Sequence, residues 1–143
     1  MTGTLIAAML FTVALLVTTT YFLLGSVPLL VLKHDIPMDS RFIRTFFNTY
    51  YLAMMFTSSG AAVSYTFAQR PVLAAGAAAF ALLAYILRRK VIPKMDLIRD
   101  QIQINGTSAI TAFRRLHVAA IVINLIQLAL IVWTLIAVSL SLR

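Results

Sequence analysis

Cysteine is absent from this chain of 143 residues, and so is glutamate; the only acidic residues are Asp35, Asp39, Asp96 and Asp100. Without cysteine there is no disulfide, thiolate metal site or cysteine redox chemistry, and the absence says nothing about compartment. No acidic residue falls inside an apolar run, which argues against a proton-coupled transporter built on a buried carboxylate relay. Histidine is scarce too, with only His34 and His117. Histidine pairs one turn apart, an HExxH helix and clustered carboxylates are all missing, which argues against a metal hydrolase.

What the chain has instead is apolar length. Hydrophobic residues make up 62% and charged residues 11%, with a mean hydropathy of +0.96, far above the usual apolar share of soluble domains. The apolar runs are too long for core strands or ordinary buried helices. The reading is an all-α integral membrane protein, a four-helix bundle in a single domain 1–143, with spans over about 4–32, 42–68, 71–90 and 110–140. The first run has no basic segment before it and no small-residue cleavage site after it, so it reads as a retained span.

Punctuation along the chain sets the expected boundaries. Gly25 to Pro28 reads as a kink in the first span, because proline removes one helical hydrogen bond and clashes with the preceding turn. Asp39 or Ser40 is placed to cap the second helix and Ser108 the fourth. Gln69-Arg70-Pro71 reads as a tight turn with proline at the first helical position. Pro93 reads as separating the third span from an amphipathic extension that ends before Asn105-Gly106. A faint echo of Ile36-Pro37-Met38-Asp39 in Ile92-Pro93 and Met95-Asp96 admits hairpin duplication or ordinary helix-end punctuation.

Twelve Lys and Arg against four Asp give a net charge of +8. No aromatic-basic motif accompanies that charge, so nucleic acid is not the expected partner. Lys33, Arg41, Arg44, Arg88, Arg89, Lys90, Lys94, Arg99, Arg114 and Arg115 flank the first and third connections, leaving only Arg70 and Arg143 on the other side. Ten against two places loops 33–41 and 88–109 in the cytoplasm and both termini on the non-cytoplasmic side of a cell inner membrane. Anionic lipid headgroups are the expected partners of these residues.

Candidate chemistry gathers on the last helix. Arg114, His117, Asn124 and Gln127 fall within roughly two-fifths of its circumference at about 3.6 residues per turn, forming a polar seam. Asn48, on the second helix, is expected at a depth similar to His117. A neutral imidazole there suits haem iron, copper or a quinone, with Asn124, Asn48 and Arg114 in support; alternatively the seam joins helices through Asn and Gln hydrogen bonds. His34 lies beside Lys33 and Asp35 in a loop and reads as solvated surface, or as a second haem ligand beside His117. On the second helix, Arg41, Arg44, Asn48, Tyr51 and Ser58 or Ser59 form a polar stripe expected to face other helices, with Tyr50 and Tyr51 near the membrane interface. Small residues 58–62 and 73–79 are expected to admit close helix packing.

Pro93, Arg99-Asp100, Phe113-Arg114-Arg115-Leu116-His117 and Asn124-Leu125 resemble the small four-helix membrane proteins grouped with transmembrane protein 205, a domain family largely of unknown function. The resemblance is confined to the C-terminal half and centres on the Phe-Arg-Arg-Leu-His turn. Distantly it points to the copper-resistance D and HemJ-type families, from which only His117 would be inherited. The resulting expectation is a non-catalytic accessory or assembly subunit, packing on itself as a homo-oligomer or on a larger membrane complex. The alternatives are a redox or cofactor-binding protein holding haem, copper or quinone at His117, and an oligomeric small-molecule exporter.

Overall fold

The computed structural model describes residues 3–30, 37–105 and 107–141, with side chains described for these except at 37–40, 102–105 and 141. Four helices account for nearly all of it: α1 (Gly3–Leu29), α2 (Pro37–Phe67), α3 (Pro71–Asn105) and α4 (Thr107–Ser141). Three are long and apolar enough to cross a membrane, over Gly3–Leu29, Pro71–Gln101 and Thr107–Leu140. The second expected span, 42–68, falls on α2 and runs one residue past its end at Phe67; α2 is not among these three.

α1 and α4 each bury a stripe at spacings of three and four residues. On α1 the stripe is Leu5, Ala8, Thr12, Leu15, Thr19, Phe22 and Ser26; on α4 it is Ala109, Phe113, His117, Ala120, Asn124, Gln127 and Ile131. A mean repeat near 3.5 keeps one seam of a helix facing its neighbours along its length. α1 packs against α2 and α4, and α3 packs against the same two helices. The stripes mix polar with apolar groups while the outward faces are apolar: Leu10, Leu24, Phe56, Val72 and Trp133 are all well exposed. Exposed apolar surface on this scale is expensive in water and favourable in hydrocarbon.

Helix ends depart from several expectations. α2 begins at Pro37, ahead of the expected caps Asp39 and Ser40, since a first-turn position costs proline no hydrogen bond. α4 begins at Thr107, so Ser108 sits inside its first turn. α1 continues through Pro28 to Leu29, where the Leu30 N–H turns back to the Val27 carbonyl at 3.1 Å. Pro93 does not end α3; the helix runs through it to Asn105. Val91, Ile92, Met95 and Ile98 are buried on both sides of it, and their packing offsets the lost hydrogen bond of an interior proline.

The turn between α2 and α3 is the tight one expected. The Gln69 N–H donates to the Thr66 carbonyl at 3.1 Å and the Arg70 N–H to the Tyr65 carbonyl at 3.0 Å, while Gln69 adopts φ 57°. This is a Schellman ending with glutamine in the left-handed position usually held by glycine. Pro71 then opens α3.

The small residues divide in their use. A Cβ built on Gly60 would stand 2.4 Å from Phe11 Cε1, and one on Gly25 would stand 2.6 Å from Phe46 Cζ, so α1 and α2 approach closely at both ends. On α3, Ala74 and Ala77 are buried. Ala75, Gly76, Ala78 and Ala79 face outward, and nothing lies within 4 Å of a Cβ built on Gly76.

Candidate functional site: a buried polar seam between α2 and α4

The polar residues of α4 meet those of α2 across the interior. Tyr50 and Tyr51, expected near the interface, are both buried, because the α2 stripe turns them inward. The Tyr50 hydroxyl donates to Asn124 Oδ1 and lies 3.2 Å from Met54 Sδ. Asn124 Nδ2 donates to the Ala120 carbonyl at 2.7 Å, which fixes the amide with its oxygen towards Tyr50. Two turns towards the start of α4, His117 is 0% exposed and meets Phe47 edge to face, with ring centroids 5.2 Å apart. Phe22 of α1 packs on Phe47 and Tyr50 and closes this end of the seam.

Gln127 continues the stripe, 2% exposed, with neither amide atom hydrogen-bonded among the described residues. The Tyr51 hydroxyl and Ser26 Oγ are buried in the same condition. Ser58 and Thr57 return their hydroxyls to their own helix, to the carbonyls of Met54 and Ala53 respectively, which satisfies a hydroxyl locally without a partner helix.

The other candidate residues are held elsewhere. Asn48 Oδ1 accepts from Arg88 Nε at 3.0 Å, so it faces α3 while its neighbour Phe47 faces His117. Arg114 Nη2 donates to the Leu30 carbonyl at 3.0 Å, a basic group closing the last carbonyls of α1. His34 lies outside the described residues. Of the α2 stripe, Tyr51 and Ser58 are fully buried, whereas Arg41 and Ser59 are exposed. Tyr50 and Asn124 are therefore brought together, His117 packs on Phe47 two turns away, and Asn48 and Arg114 are drawn to other helices.

No family model matches the chain, nor does any curated protein or solved structure.

Five cavities open between the helices without His117 in their walls. Among the described residues no group of three or more His, Cys, Asp or Glu stands together as a metal site. The Tyr50–Asn124 hydrogen bond ties α2 to α4 across the interior.

A second polar contact escaped the sequence reading. Thr12 Oγ1 gives its proton to the Ala8 carbonyl at 2.8 Å; at 3.0 Å from Tyr65 Oη it therefore accepts from the phenol. The signal lay in α1, where Thr12, Thr19 and Ser26 recur every seven residues within an apolar run. A heptad of hydroxyls marks an interior face.

Proposed function

We propose that this chain is a non-catalytic multi-pass protein of the cell inner membrane, a four-helix bundle that acts as an accessory or assembly subunit. Its interior seam holds α2 and α4 in register, and the outward small-residue face of α3 packs on a second copy or on a larger membrane complex. The charge distribution supports an orientation with both termini outside. The α2 segment crosses with the others, because Tyr50, Tyr51, Thr57 and Ser58 turn inward while Leu52, Phe56, Val63 and Phe67 face out.

The observation that carries this reading is the uncovered α3 face. Ala75, Gly76, Ala78 and Ala79 are exposed in a helix of high apolarity, and small residues allow close backbone approach between helices in lipid. The resemblance of the Phe113–His117 turn to the transmembrane protein 205 group fits the same architecture.

The chain has no native cysteine, so single replacements report cleanly. Ala75→Cys and Ala79→Cys, oxidised in native membranes, should give a cross-linked homodimer or a cross-link to one stoichiometric partner. Leu82→Cys and Tyr85→Cys, farther along α3, serve as references for random collision. Equal cross-linking at all four positions overturns the reading. A Soret band or stoichiometric metal that disappears in His117→Ala overturns it in favour of a redox protein.

A further inference from the structure

At the end of the molecule where the basic residues gather, α2 and α3 border an open cavity of about 760 Å³ lined by Arg41, Arg44, Thr45, Asp96 and Arg99. Asp96 organises it. Arg44 grips this carboxylate through Nε and Nη2, at 3.2 Å each to the nearer oxygens, and Arg99 Nη1 reaches Asp96 Oδ1 at 3.2 Å. Arg99 also binds Asp100 Oδ1 at 3.0 Å, while the Arg41 side chain has no ion pair among the described residues. Three guanidiniums thus face two carboxylates, and the excess charge is positive. Each guanidinium carries five N–H donors, so the bonds to Asp96 and Asp100 leave donors free while holding Arg44 and Arg99 in place.

Beside this cavity, on the other flank of α2, an apolar groove of about 470 Å³ runs between α1 and α2 along Val17, Tyr21, Phe42, Phe46, Thr49 and Ala53. Thr45 lines both spaces. A charged cavity therefore adjoins an apolar channel that extends two turns farther towards the middle of the helix. The Asn48–Arg88 hydrogen bond lies about one turn inward of the Arg44–Asp96 pair, and Arg88 begins the basic run that ends the apolar part of α3. The cavity consequently falls at headgroup depth and the groove at acyl depth.

We propose that the outward face of α2 around Thr45 is a binding site for an anionic phospholipid, its phosphodiester among Arg41, Arg44 and Arg99 and an acyl chain in the Val17–Phe46 groove. Arginine forks suit phosphate oxygens in two-point hydrogen bonding. The exposed rings of Tyr21 and Phe42 flank the chain where it leaves the headgroup. The site rests on the membrane placement of the helices and is independent of what covers α3.

Native mass spectrometry of the full chain in mild detergent, equilibrated with phosphatidylglycerol or phosphatidylcholine, tests it. Phosphatidylglycerol should be retained several-fold over phosphatidylcholine. Arg41→Gln, which removes a cation bonded to no other described side chain, should weaken that retention about fivefold, from roughly 1 kcal/mol per basic residue near an anionic surface. Thr49→Trp should fill the groove and weaken retention while all three arginines stay in place; circular dichroism confirms that both variants remain helical. Equal retention of the two lipids, or an unchanged Arg41→Gln, overturns the proposal. Displacement of the lipid by soluble glycerol phosphate, with Thr49→Trp inert, overturns it in favour of a free-anion site. A chain that takes up neither lipid overturns it through the membrane placement itself.

Discussion

The phenol of Tyr50 on α2 donates to the amide oxygen of Asn124 on α4, and the same amide donates to the Ala120 carbonyl one turn back on its own helix. The two helices have no close backbone approach to each other, so long side chains span the interior and the hydrogen bond is the specific part of the contact. Either partner removed alone leaves a buried polar group behind.

Tyr50→Phe and Asn124→Leu should therefore each destabilise the protein, by about 1 kcal/mol on the scale of hydrogen bonds between membrane helices. The double variant should lose less than the sum. Denaturant titrations of the four proteins in one detergent give the coupling energy; strict additivity would mean the bond contributes nothing.

Gln127 makes the opposite prediction. Its amide is buried without a hydrogen-bond partner among the described residues, and an unsatisfied buried amide costs about 1–3 kcal/mol. Gln127→Leu, of similar volume, should leave stability unchanged or raise it, read as the thermal midpoint. A clear loss would reveal a bound water or ligand that the amide serves.

Gly60 should not tolerate a side chain. Its built Cβ falls 2.4–2.7 Å from three atoms of the Phe11 ring, so Gly60→Ala forces that ring aside, an overpacking cost of about 1–3 kcal/mol. Phe11→Leu in the same background should recover much of the loss. Unfolding curves of Gly60→Ala with and without Phe11→Leu decide it.

The left-handed Gln69, at φ 57°, gives a test at the turn. Gln69→Gly should hold or raise the thermal midpoint, whereas Gln69→Val should lower it through a stability loss of about 1–2 kcal/mol, since Cβ crowding in this region is worst for branched residues. A valine variant as stable as the glycine one would mean the turn rearranges freely.

Much of the molecule was legible because helix faces obey a short period. Asn124, Gln127 and His117 fall on one α4 stripe by counting alone, and all three are buried. The extension after Pro93 was legible as an amphipathic segment, but its continuity with α3 was not, because a local breaker signal carries no record of the buried Ile92 and Met95 that hold the helix through that point. Asn48 and Arg114 were legible as polar groups near a helix end but not as partners of Arg88 and Leu30. Their depth follows from counting residues, whereas their rotation about the helix depends on which neighbour each helix meets.

Composition and periodicity alone gave four long helices and an expectation of four membrane spans, because the hydrocarbon's demand for long apolar runs is written residue by residue; the structure has the four helices, three of them long and apolar enough to cross a membrane. Which polar group would meet which belonged to the packing. Tyr50 finds Asn124 and Arg44 finds Asp96 across 74 and 52 residues of sequence, separations over which no local pattern carries geometry. The fate of α2 belonged there as well: it is not among the three helices apolar enough to cross a membrane, and only the packing turns Tyr51, Thr57 and Ser58 inward and leaves Leu52, Phe56 and Val63 facing out.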